Sequence, residues 1–290
     1  MATPAQWLAG ARPRTLPAAV SPVVAGSGAA YVAGHFDGGI AVLCLVVALM
    51  LQIGVNYAND YSDGIRGTDA VRVGPMRLVG SGAASPPAVK RAAFASFGVA
   101  AVAGLAVVWL SSYWWLLVVG AAAILAAWFY TGGKHPYGYA GLGELVVFVF
   151  FGLVAVMGTT YVQARTVSVA SLLAAVAVGL ITCQVLVANN LRDIEGDREV
   201  GKRTLATRLG DRGTRRLYVA MTVVVAVAVV LVAVVTTWWA LLGLAGVAVL
   251  VVATRSVAKG AVGRDLISVL ALTGVAELVL AFGLAIGWLV

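Results

Sequence analysis

Nine times between residues 15 and 288 the chain runs for about 20 positions with scarcely a charge, and segments of that length and polarity have one stable environment. A bilayer core is about 30 Å thick, which an α-helix crosses in about 20 residues at 1.5 Å each. No water inside the core can take up free N–H and C=O groups, so a spanning segment must pair them within itself. Runs rich in Val, poor helix formers in water, therefore become helices in lipid. The expected spans are 15–34, 39–61, 88–110, 113–131, 143–163, 168–190, 215–235, 237–254 and 266–288. Composition agrees: 61% of the 290 residues are hydrophobic, 11% are charged, and mean hydropathy is +0.98. A soluble domain is about half apolar and a quarter charged. The fold class is all-α, a polytopic membrane protein whose residues 1–290 form a single domain of nine transmembrane helices.

Charge placement tests that count. With nine spans, the N-terminus and every second loop share one side, and that side holds 19 of the 20 basic residues, only Arg165 being opposite. The positive-inside rule makes it cytoplasmic, in a cell membrane, with the C-terminus external. The net charge of +8 is thus laid out for topology and anionic substrates, not nucleic acid. Arg12 and Arg14 precede an apolar run long enough to stay in the bilayer, so no cleaved signal peptide is expected. Cys44 and Cys183 lie inside apolar runs and read as small buried side chains.

Ten of the twelve acids also sit on the cytoplasmic side, where topology rules place no demand on them. Two stretches stand out. On a helix, Asn189, Asp193 and Asp197 are spaced i, i+4, i+8 along one face, with successive side chains about 6 Å apart. Asn56, Asp60 and Asp63 share a face in the same way. Two unpaired anions so close at a membrane boundary call for a hard dication with oxygen ligands, or a phosphate held through one. No His or Cys lies near either stretch, which argues against zinc. The stretches end spans two and six, four helices apart and pointing the same way. A parallel four-helix repeat with a ninth helix added would set them across a central cavity opening near the cytoplasmic face.

Each acidic stretch is followed by a basic loop, with Arg72 and Arg77 after the first and Lys202 and Arg203 after the second, suited to phosphate oxygens. Gly74-Pro75, Gly80-Ser81-Gly82 and Pro86-Pro87 give the first loop fixed bends, as a lid requires. Arg208, Arg212, Arg215 and Arg216 read as ordinary cytoplasmic-side charges. Between spans four and five, Tyr130 to Glu144 contains the only charges between Arg91 and Arg165, namely Lys134 and Glu144. Its tyrosines suit either the interface or a cavity in which a π face steadies a cation. Glu277 is the one acid deep in a span, where a structural hydrogen bond and a functional role are both open. A transporter would keep its acids near the midplane on broken helices; here they gather at one face.

At these residues the chain resembles the UbiA superfamily of membrane prenyltransferases. Asn59-Asp60-Tyr61-Ser62-Asp63 and Asp193-Ile194-Glu195-Gly196-Asp197 resemble its two Asp-rich motifs. Ala11-Arg12-Pro13-Arg14-Thr15-Leu16, Gly74-Pro75-Met76-Arg77 and the Tyr139-to-Glu144 loop are similar to the branch that prenylates 1,4-dihydroxy-2-naphthoate in menaquinone synthesis, rather than 4-hydroxybenzoate, homogentisate, haem or a chlorophyll precursor. Many relatives carry a further Asp where this chain has Gly67, and the nearest substitute is Asp69. The resemblance implies that Asp60, Asp63, Asp193 and Asp197, with Asp69 as a further metal ligand, hold Mg²⁺ on a polyprenyl diphosphate beside Asn56, Asn59 and Asn189. It implies that Arg72, Arg77, Lys202 and Arg203 neutralise the leaving group, that Tyr57, Tyr130 and Tyr139 line the cavity, and that catalysis rests on Asp60, Asp193, Lys134 and Glu144. In that scheme Lys134 steers the acceptor carboxylate and Glu144 orients a hydroxyl or takes a proton.

Overall fold

The computed structural model of the chain describes residues 2–67 and 76–290, and every regular element among them is helical. Helix α1 (Pro4–Gly10) starts at Thr3, whose hydroxyl accepts the Gln6 N–H while the Gln6 side chain accepts the Thr3 N–H, a reciprocal cap. Pro13 and Pro17 cannot donate to a continuing ladder, and Arg12 between the helices takes a left-handed φ of 53°. The axis therefore turns by 51° before α2 (Pro17–Val32). Helix α3 (Gly38–Arg66) runs five residues beyond the expected end at 61 and carries Asp63 and Arg66 with it. It stops at Gly67, where φ is +70°, a conformation that a Cβ disfavours. Gly67 is thus the end of the helix.

Next come α4 (Pro86–Ser111), α5 (Leu116–Phe129) and α6 (Gly143–Val147), which passes through a π-helical stretch (Phe148–Met157) into α7 (Gly158–Ala164). Helix α8 (Val169–Arg192) and α9 (Ile194–Glu199) meet at Asp193, followed by α10 (Leu205–Val235), α11 (Leu244–Ala258) and α12 (Asp265–Leu289). Among the described residues seven helices are long and apolar enough to cross a bilayer, or eight if the bent α1–α2 pair counts as one. The chain is a multi-pass membrane protein. The expected span 113–131 is the exception: α5 has 14 residues, about 21 Å of helix, because turns at Tyr113–Trp115 and at Tyr130–Thr131 take up the ends of the run.

Helix α3 packs on α4, α8 on α10, α11 on α12, and α12 returns to α2. The interior is built from small side chains: Ala25, Ala174, Ala177, Ala228, Ala276 and Ala281 are all 3% exposed or less. Val118, Trp109 and Trp238 face outward at 69% or more. Lipid tails are as apolar as leucine, so close backbone packing, rather than hiding large side chains, drives assembly. One close approach joins the π-helical stretch to α8, where a Cβ on Gly152 would lie 2.8 Å from the Gly179 Cα. Phe150, Phe151 and Val154 of this stretch line a cavity.

Candidate active site

That cavity has a volume of about 630 Å³. Helix α3 lines it from Cys44 to Asp63, a length of about 28 Å. Its deep wall is apolar, with Leu51, Val55, Leu105, Val108, Leu117, Phe150, Phe151 and Val154. Around the C-terminal ends of α3 and α8 the wall becomes polar, with Arg12, Asn56, Asn59, Asp63, Arg77, Tyr130, Tyr139, Asn189, Asn190, Asp193, Asp197 and Lys202. Such a chamber fits an anionic head carrying a long apolar tail.

Lys202 joins the two acidic stretches: its Nζ lies 3.9 Å from Asp63 Oδ1 and 3.6 Å from Asp197 Oδ1. On the other side of Asp63, Arg77 stands 3.6 Å from Oδ2. Tyr139 donates its hydroxyl hydrogen to Asp63 Oδ1 at 2.5 Å, and its ring carries Lys202 at 4.4 Å and Arg66 at 5.4 Å. Burial first, then the neighbouring Asp63 charge, pushes the Tyr139 phenol above its usual range and keeps it a donor. Three short segments are sewn together here. Arg66 donates to the carbonyls of Thr131 and Gly133, Thr131 donates to Asn59 at 2.8 Å, and the Arg203 N–H donates to the Tyr139 carbonyl at 2.9 Å.

Helix α8 does not run through the second motif as one straight row. Asp193 has φ −100° and ψ 8°, and Arg192 forks onto its carboxylate at 2.7 and 2.8 Å. The Asp193 N–H still donates to Asn189 and the Asp197 N–H to Asp193, so the residues keep helical spacing and all three line the cavity. Asn56 donates to the Ala11 carbonyl at 2.9 Å and to Thr15 Oγ1 at 3.0 Å, tying the α1–α2 bend to α3.

Other expected site residues stand elsewhere. Asp60 is fully buried, absent from the cavity wall, and accepts the N–H groups of Leu78 and Val79. Tyr57 donates to the Trp7 carbonyl at 2.9 Å. Lys134 and Arg203 are exposed and off the wall. Glu144 is buried behind the wall and accepts from Asn190 at 2.9 Å. Glu277 accepts from Thr182 at 2.7 Å, linking α12 to α8. Asp69, Arg72 and Gly74-Pro75 lie outside the described residues. Sequence reasoning passes over Arg12 and Asn190 as wall residues. The strained φ of Arg12 has no sequence signature beyond the proline that follows it, and Asn190 lies one residue off the helical row of Asn189, Asp193 and Asp197.

Among the described residues no three carboxylate, imidazole or thiol groups converge to hold a metal unaided. Among the described residues of the wall, three carboxylates, Asp63, Asp193 and Asp197, face three cations, Arg12, Arg77 and Lys202. A diphosphate entering this balanced set would bring excess negative charge. Mg²⁺, which takes few carboxylates and completes its shell with phosphate oxygens and water, fits both the oxygen donors and the charge deficit.

The chain belongs to the UbiA prenyltransferase family, whose model matches residues 19–265, a class of membrane-embedded transferases. The chain is 54% identical over 285 residues to the 1,4-dihydroxy-2-naphthoate octaprenyltransferase of Mycobacterium tuberculosis (strain ATCC 25618 / H37Rv), covering 98% of this chain and 97% of that protein. The protein of the same name from Escherichia coli (strain K12) is 42% identical over 221 residues, 74% of this chain and 72% of its own. Solved structures share the fold. The apo UbiA homolog from Aeropyrum pernix K1 superposes with a TM-score of 0.73 at 17% identity, covering 93% of this chain and 97% of its own. The UbiA homolog from Archaeoglobus fulgidus bound to GPP and Mg²⁺ gives 0.68 at 14% identity, covering 96% and 99%.

Proposed function

We propose that this chain transfers a polyprenyl group from polyprenyl diphosphate to 1,4-dihydroxy-2-naphthoate, releasing diphosphate and CO₂, in menaquinone biosynthesis. The observation that carries this is the position of Lys202 between Asp63 and Asp197, which puts both acidic stretches on one chamber. The names of the relatives at 54% and 42% identity supply the acceptor.

In this scheme Asp63, Asp193 and Asp197, with Asn59 and Asn189 beside them, would hold Mg²⁺ at the diphosphate end of the cavity. Bound there, Mg²⁺ would neutralise charge on the diphosphate as it leaves. Arg77, Arg12 and Lys202 add donors to the same oxygens, an arrangement most valuable as the allylic carbon–oxygen bond breaks and negative charge gathers on the leaving group. The apolar wall from Leu51 to Phe151 takes the prenyl chain and excludes water from the allylic cation, with Tyr130 offering a π face. The naphthoate carbon then forms the new carbon–carbon bond, and the carboxylate departs as CO₂. The protein would cross the plasma membrane nine times, α5 being the short crossing, with the N-terminus cytoplasmic and the C-terminus external.

The test is turnover by purified protein supplied with Mg²⁺, a polyprenyl diphosphate and a panel of aromatic acids. Prenylated naphthoquinol and CO₂ are expected from 1,4-dihydroxy-2-naphthoate. Faster turnover of 4-hydroxybenzoate or homogentisate would replace the acceptor, and no transfer to any of them would overturn the assignment.

A further inference from the structure

The two aspartates of the first motif point to different places. Asp63 lies on the cavity wall, whereas Asp60, three residues earlier and some 60° away around the helix, has no exposed surface and is not part of that wall. Both Asp60 oxygens are engaged: Oδ2 accepts the Leu78 N–H at 2.7 Å and Oδ1 accepts the Val79 N–H at 2.9 Å. A buried carboxylate with each oxygen taking a backbone N–H is satisfied without a cation. The surrounding packing is shaped for the same purpose. Val79 lies directly over Gly64, where a Cβ would come within 2.4 Å of Val79 Cγ1, so a side chain there would evict it. Leu78 is fully buried against Gly10, where a Cβ would come 2.6 Å from Leu78 Cδ1. The segment is closed on itself by the Ala84 N–H to the Leu78 carbonyl and the Gly82 N–H to the Val79 carbonyl. The residue just before this seated pair is Arg77, which lines the cavity 3.6 Å from Asp63.

We infer that Asp60 is a positioning residue that seats the Leu78–Val79 segment on α3 and thereby places the Arg77 guanidinium at the diphosphate end of the cavity, rather than a ligand to a cation inside it. A cation drawn to Asp60 would have to enter a site with no exposed surface and displace the Leu78–Val79 segment seated on it. The role presupposes the diphosphate-binding cavity proposed above, and the measurements below separate the two.

Three variants in detergent decide it: Asp60→Asn, Asp63→Asn and Gly64→Ala, each compared with wild type. The measurements are Mn²⁺ uptake in the presence of pyrophosphate, followed by electron paramagnetic resonance, hydrogen exchange at the Leu78 and Val79 amides, and KM for the prenyl diphosphate. Asp60→Asn should speed exchange at both amides and raise KM by about tenfold, the loss of one charge-assisted hydrogen bond, while Mn²⁺ uptake stays at the wild-type level. Asp63→Asn should do the reverse, losing Mn²⁺ with both amides still protected. Gly64→Ala leaves every carboxylate intact and displaces Val79, so it should reproduce the exchange and KM changes of Asp60→Asn; this also covers the case in which Asp60→Asn fails to fold. Loss of Mn²⁺ in Asp60→Asn with both amides protected would make Asp60 a ligand and overturn the inference. So would a wild-type KM in Gly64→Ala despite fast exchange. If wild type takes up no Mn²⁺ with pyrophosphate, the cavity assignment itself falls and this role with it.

Discussion

The Tyr139 hydroxyl donates to Asp63 at 2.5 Å, so a residue from the loop before α6 holds a carboxylate on the last turn of α3. The same ring lies under Lys202 at 4.4 Å, which in turn reaches the acids of both motifs. One aromatic side chain therefore organises the place where three separate segments meet.

Tyr139→Phe keeps the ring and its two cations but removes the donor. Loss of one hydrogen bond to a charged group should lower kcat/KM by about ten- to a hundredfold, measured by steady-state kinetics in detergent. The phenol's pKa lies above its unfolded value of about 10, so the interaction is fully present below that pH and is lost only as pH climbs through the higher folded value. The pH–rate profile of wild type should show no alkaline step from this group near pH 10.

Asp193→Asn retains an acceptor for Arg192 but removes a charge from the cavity wall. Transfer should be abolished while the thermal unfolding midpoint stays close to wild type. A chelator should stop turnover by the unaltered protein, and added Mg²⁺ should restore it. Substantial activity in the variant, or indifference to the chelator, would falsify the metal assignment.

Lys202→Ala leaves Asp63 and Asp197 facing one cavity without the ammonium that bridges them. Like-charge repulsion should lower the unfolding temperature by a few degrees in metal-free buffer. Mg²⁺ should recover most of the loss, because it supplies positive charge to the same oxygens. A midpoint insensitive to Mg²⁺ would mean that these acids share no cation.

Gly104 lines the apolar part of the cavity, and the nearest atom to a Cβ there is a Val47 methyl carbon at 3.9 Å. Gly104→Leu should extend into the path of the prenyl chain. KM should rise steeply for long polyprenyl diphosphates and little for a five- or ten-carbon donor; an equal rise for both would place the tail elsewhere.

Gly152→Val sets a branched side chain where the backbones of the π-helical stretch and α8 nearly touch. Overpacking at a backbone contact should cost about 3 kcal/mol, read as a lowered unfolding midpoint and poor recovery from membranes.

The membrane class and most helix positions follow from local chemistry that any stretch of the chain carries by itself. A run of about 20 apolar residues must pair its own backbone in lipid, whatever its neighbours do. Asp63, Asp193, Asp197 and Lys202 were also legible, because acids and bases at matched helix ends leave a pattern that is local at each end. The limit appears within a single motif. Asp60 and Asp63 are three residues apart and chemically alike, yet one faces the cavity and the other receives two N–H groups from a segment almost twenty residues along. Nothing in the motif distinguishes them, since the choice depends on which partner the fold brings to each side of α3. The exposure of Lys134, the retreat of Glu144 behind Asn190 and the entry of Arg12 into the wall have the same origin. Residue type and spacing determined what chemistry this chain can host; the packing of helices and loops decided which atoms meet, because side-chain direction relative to a distant neighbour is a property of the assembled molecule alone.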